Sequence, residues 1–101
     1  MPITIEIDQD LQEIVPGFLE NRAKDLIELK AAVENNDIKT LEKIGHKVAG
    51  SSGGYGFDEL GKMAKSLELK AIDGHFEECA GLVGQIEAHL NELEIVYVEM
   101  D

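Results

Sequence analysis

The chain of 101 residues predicts an all-α fold, an antiparallel up-down four-helix bundle with an N-terminal helical or extended cap. Three observations carry that expectation. Apolar residues recur at steps of three and four through most of the chain, the mark of helices that bury one face. Short polar clusters, Asn35-Asn36-Asp37 and Asp73-Gly74, separate the stripes, and short connections favour antiparallel neighbours. At 44% hydrophobic and 30% charged residues, there is material for one core and too much of it for disorder, so a single domain over residues 1–101 is expected.

Taken in order, Ile3, Ile5 and Ile7 alternate with polar residues, but one short strand with no partner makes no sheet. The segment is read as an extended lead-in. Leu11, Ile14, Val15 and Phe18 then fall at helical spacing, with Pro16 either opening a helix or kinking one. From Pro16 to about Asn35, the stripe Leu19, Ala23, Leu26, Leu29 and Val33 predicts one helix. Asp37 suits the N-cap of the next, which carries Leu41, Ile44 and Val48 and runs into the glycines of Ser51 to Gly56. Asp58 begins a third helix, with Leu60, Met63, Ala64, Leu67 and Ala71 on its apolar side. The last stripe, Phe76, Cys79, Val83, Ile86, Leu90, Leu93 and Tyr97, predicts a helix of six turns. Cys79, the only cysteine, lies on that stripe and reads as a core residue.

Charge narrows the partners. Twenty-one acidic residues against nine basic ones give a net charge of −12, which repels phosphate backbones and anionic lipid surfaces. Neither nucleic acid nor a membrane is expected as a partner. No apolar run approaches the roughly 18 to 20 residues of a membrane span, and Met1 to Asp10 lacks the pattern of a signal peptide, so a cytoplasmic location is expected.

The chemistry centres on His46. Around an ideal helix, Leu41, Ile44, Val48 and Tyr55 fall opposite His46, which therefore faces water. A lone helical histidine more commonly fills a gap between apolar neighbours; this phase argues against that. Lys39, Lys43, Gly50 and Gly53 share the His46 side, combining positive charge with missing side chains. Each lysine taken alone would read as solvated surface. Glycines at 45, 50, 53 and 54 each cost a helix about 1 kcal/mol, so they imply close approach of a partner or tight packing.

Other candidates fall away. Ser51 and Ser52 lean toward the core without triad partners, and Gly56 to Met63 misses the phosphate-loop hydroxyl at Met63. His75 and His89 form no Glu-x-x-His pair, and Glu42 with His46 supplies too few ligands for a metal, so no metal site is expected.

The run GHKVAGSSGGYGFDEL, Gly45 to Leu60, resembles the signature of histidine phosphotransfer domains, and Leu67-Glu68 matches the Leu-Glu that follows it in that family. FLENRAKDLIELKAAVENND before the signature and the terminal helix after it extend the resemblance over nearly the whole chain. It implies a phosphocarrier, not an enzyme, that takes a phosphoryl group on His46 from a receiver-domain aspartate and passes it to another receiver. Partners would be receiver domains of response regulators and hybrid sensor kinases, which bring Mg²⁺; the chain itself needs no cofactor. Gly50 matches the small residue one turn beyond the phosphoacceptor, and Gly56 the glycine before the following helix; Gly50 and Gly53 would admit the partner. One departure stands out: Ala49 occupies the place of the family's usual lysine. Lys43, Lys47 or Lys39 could supply the replacement charge, Lys43 first. The rival reading is a non-phosphorylated helical adaptor that only docks receivers.

Overall fold

The structure, a computed structural model, describes residues 2–99. Its helices are α1 (Val15–Glu34), α2 (Ile38–Ser52), α3 (Asp58–Ile72) and α4 (Phe76–Glu92), with single 3₁₀ turns at Gln9–Leu11 and Gly53–Tyr55. Helix α1 packs on α2 and α4, and α3 packs on the same two, which closes a four-helix ring around the core. None of the helices is long and apolar enough to cross a membrane, among the described residues.

Local chemistry sets the helix ends. Pro16 sits in the first turn of α1, where its missing N–H has no intrahelical partner to lose. Asn36 takes a left-handed φ of 52°, which turns the chain so that the Asp37 N–H reaches the Ala32 carbonyl at 2.8 Å. Gly74 does the same after α3 at φ 77°, with the His75 N–H donating to the Lys70 carbonyl at 2.9 Å. At Gly56, φ is 87°, a conformation that favours glycine, while the Ile7 Cδ1 that an added Cβ would meet at 2.9 Å is a side-chain tip able to move.

The interior is built from Leu41, Ile44, Val48, Leu60, Leu67, Cys79 and Val83, with Phe18 stacked on Tyr55 and Phe57 at centroid distances of 4.5 and 4.9 Å. Helix α1 corrects the predicted stripe. Val15, Phe18, Arg22, Asp25, Leu29 and Ala32 are buried, whereas Ala23 is exposed and Leu19, Leu26 and Val33 are half-buried. A three-four pattern is present, but two of its members are charged, so reading apolar residues alone shifted its phase.

The chain ends bring the larger correction. Helix α4 stops at Glu92, and Leu93–Val98 form strand β2, which pairs in parallel with strand β1, Ile3–Asp8. Register runs from Ile3 opposite Leu93 to Asp8 opposite Val98. The lone N-terminal strand thus has a partner 90 residues away, joined by the whole bundle as its crossover. Leu93 and Tyr97 suit a helical stripe, yet Leu93, Ile95 and Tyr97 also alternate. With β1 available for pairing, the β-branched and aromatic content of LEIVYV favours the strand.

Candidate functional site

Helix α2 presents the site. Asp37 caps it, its carboxylate accepting from the Thr40 N–H at 3.2 Å and the Thr40 hydroxyl at 2.6 Å, contacts that hold the Asp37 pKa below its ordinary value. Leu41, Ile44 and Val48 are buried, and the His46 side chain on the other face is 75% exposed. Between the two faces stands Gly45. A Cβ there would meet the Ala64 carbonyl oxygen and the Glu68 amide nitrogen, each at 3.0 Å, so glycine lets α3 approach the backbone of α2 directly.

That approach carries Glu68 to the histidine. Its Oε2 lies 2.7 Å from His46 Nδ1, while the side chain is only 10% exposed. The Lys65 ammonium donates to the other oxygen, Oε1, at 3.1 Å. Lys65 is the first cause holding the Glu68 pKa below its ordinary range; burial opposes it and His46 adds to it. Glu68 is then a carboxylate at neutral pH, an acceptor only, which assigns the neutral imidazole's proton to Nδ1 and the lone pair to Nε2. The arrangement is an outward-facing ring nitrogen with a free lone pair, oriented from behind by a half-neutralised acid.

A second network braces the flank facing α1. The Lys47 ammonium reaches Asp25 Oδ1 at 2.6 Å, Arg22 Nε lies 2.9 Å from Asp25 Oδ2, and Arg22 Nη1 donates to Ser51 Oγ at 2.7 Å. Arg22 Nε and Asp25 Oδ2 are close but poorly aligned, so that contact is ionic more than a hydrogen bond. The Arg22 guanidinium also lies 4.8 Å from the Phe18 ring centroid.

The residues singled out in the sequence are thereby distributed. Lys47 is engaged by Asp25, and Lys43 borders a hollow with Glu28, Thr40 and Lys47 on the α1 side; Lys39 is exposed at the start of α2. A Cβ at Gly50 or Gly53 would meet nothing within 4 Å, so neither is small for internal packing. Sequence reading gave Glu68 a place in a motif but no role, and it passed over Lys65, Arg22 and Asp25. The contact between His46 and Glu68 spans 22 positions and two helices, which no single-helix projection reveals; the usable signal was Gly45, a glycine beside the histidine in mid-helix.

The model of the Hpt domain family matches residues 13–95. The chain belongs to the Hpt domain family, whose members carry phosphoryl groups on histidine in phosphorelays and interact with receiver domains of two-component systems. No curated protein and no solved structure matched the chain.

Proposed function

We propose that His46 is the phosphoacceptor, taking a phosphoryl group from the aspartate of one receiver domain and delivering it to that of another. One observation carries the reading: an exposed imidazole whose Nδ1 is held 2.7 Å from a buried carboxylate. The Nε2 lone pair attacks phosphorus, the aspartyl carboxylate leaves with the electron pair of the broken O–P bond, and the ring becomes a phosphoimidazolium. Glu68, already accepting from Nδ1–H, stabilises the positive charge that develops, as an acid behind a catalytic imidazole does. Return transfer reverses each step, and the chain acts as a carrier, not as an enzyme with its own turnover.

Phosphoryl transfer is largely positioning and charge stabilisation. The receiver of a response regulator or hybrid sensor kinase would bring the Mg²⁺, and Gly50 and Gly53 would leave room for its active site. In this reading the protein would act in the cytoplasm as one domain. The direct test mixes it with a phosphorylated receiver and follows acid-labile, alkali-stable label in wild type and His46→Gln. Label on wild type alone supports the relay. Binding of phosphorylated receivers without transfer would favour the adaptor reading.

A further inference from the structure

A phosphoryl group on His46 Nε2 adds negative charge to a chain that already carries −12, so the identity of the neighbouring cation matters. On the α1 side, Lys47 is committed to Asp25 at 2.6 Å. On the α3 side the situation differs. Glu68 touches His46 with one oxygen and the Lys65 ammonium with the other, so cation and imidazole are separated by two contacts and the width of one carboxyl group. Lys65 is 57% exposed, on a flexible stem, and its partner is shared.

Beside this pair lies an open hollow of about 370 Å³, bordered by Ala49, Gly53, Asp58, Gly61, Lys62 and Lys65. Ala49 and Gly53 stand three and seven positions after His46, on the side of α2 that continues from the ring. Gly61 brings α3 close, its Cβ position 3.5 Å from Ser52 Cβ and 3.9 Å from the Ala49 carbonyl oxygen. No side chain larger than alanine enters the hollow from α2, and its cations come from α3. Lys62 is turned toward Glu59 at 3.6 Å, and Asp58 is the one acid on the rim.

We infer that Lys65 is the phosphoryl-binding cation of this chain: on phosphorylation its ammonium leaves Glu68 for the phosphoryl oxygens, in the hollow that Ala49 leaves open. The exchange conserves charge pairing, because the phosphoimidazolium formed at His46 becomes the partner of Glu68 as Lys65 departs. The inference rests on His46 as the phosphorylated residue, as proposed above. It assigns the charge to the helix facing the histidine instead of to Lys43, Lys47 or Lys39 of α2.

The test uses phosphoramidate, a small phosphoryl donor that needs no receiver, on the full chain, with His46→Gln to subtract label on other histidines. Phosphorus NMR then titrates the phosphohistidine. Lys65→Gln is expected to slow labelling about tenfold and make the phosphoryl group hold its second proton about tenfold more tightly, as loss of one adjacent charge-assisted hydrogen bond implies. Lys43→Gln should do neither. Both effects should persist in a Glu68→Gln background, where Lys65 has no carboxylate to neutralise, and Ala49→Lys should reverse them by supplying an ammonium from the opposite wall. An unchanged thermal midpoint would exclude a folding defect. Lys65→Gln indistinguishable from wild type, an effect that vanishes with Glu68→Gln, or no label on wild-type His46 would each overturn the inference. Labelling by phosphoramidate without labelling by receivers would instead count against the relay alone.

Discussion

Gly45→Ala and Gly50→Ala make the same chemical change five positions apart on α2, and the structure separates their effects. Exchanging glycine for alanine in a helix interior gains roughly 0.5–1 kcal/mol from lower chain entropy in the unfolded state. At Gly50 nothing lies within 4 Å of the new methyl, so that gain should appear undiminished. At Gly45 the methyl lands 3.0 Å from the Ala64 oxygen and the Glu68 nitrogen and 3.3 Å from Glu68 Cα. All three are backbone atoms of α3, which cannot rotate away as a side-chain tip can. Overpacking of this kind costs about 1–3 kcal/mol, enough to match or exceed the propensity gain.

Gly50→Ala should therefore exceed Gly45→Ala in stability by about 1–3 kcal/mol, or several degrees of thermal midpoint in a domain of this size at ~4–8 °C per kcal/mol. Urea unfolding of the two variants beside wild type measures it. Function should split the other way: a displaced α3 withdraws Glu68 from His46, while Gly50→Ala leaves the pair intact and obstructs only the approach of a partner. Small-donor labelling of His46 should then be slowed by Gly45→Ala and untouched by Gly50→Ala. Equal stabilities, or a Gly45→Ala more stable than Gly50→Ala, would refute the argument that glycine is needed there for helix contact.

Three further outcomes follow from the same geometry. Glu68→Ala should slow phosphoryl uptake from a receiver about 10- to 100-fold, the equivalent of a hydrogen bond to a charged group worth roughly 1.5–3 kcal/mol, and Glu68→Gln, still able to accept from Nδ1–H, should lose less; rapid-quench transfer assays resolve the two. Asp25→Ala leaves the buried Arg22 and the Lys47 ammonium without their shared acid and should destabilise by about 3 kcal/mol, visible as an earlier denaturant midpoint. His89 is 7% exposed, its Nε2 has no partner among the described residues, and desolvation lowers its pKa from 6.5 against the opposing pull of Glu59 and Glu92. The unfolded chain then binds the proton more tightly, so this contribution is whole above about pH 6.5 and lost as pH falls toward the depressed folded value. Stability of His89→Gln should show a shallower decline across that window than wild type does.

Much of the bundle was legible because amphipathic periodicity and caps are local. Asp37 could be placed from its neighbours alone, and the outward direction of His46 from the phase of Leu41, Ile44 and Val48. What escaped notice depends on distant partners. LEIVYV serves a helix or a strand until β1 is known to lie beside it, and Arg22 and Asp25 read as surface until each is seen to neutralise the other inside α1's buried face. Glu68 is the sharpest case: its residue type is ordinary for a helix, and its significance arises only where Gly45 admits α3.

The charge distribution links these features to one surface. Six of the nine basic residues, Lys39, Lys43, Lys47, Lys62, Lys65 and Lys70, lie on α2 and α3. The acids outnumber them over the whole chain, so the protein's far field is negative, and four of the six lysines are already paired: Lys47 with Asp25, Lys62 with Glu59, Lys65 with Glu68 and Lys70 with Glu78. Glu68 acts on the same face from inside the helix pair. By fixing the proton on Nδ1 it leaves a lone pair at one ring nitrogen only, so under the proposed transfer the direction of approach would be set by the helix pair and not by rotation of the ring.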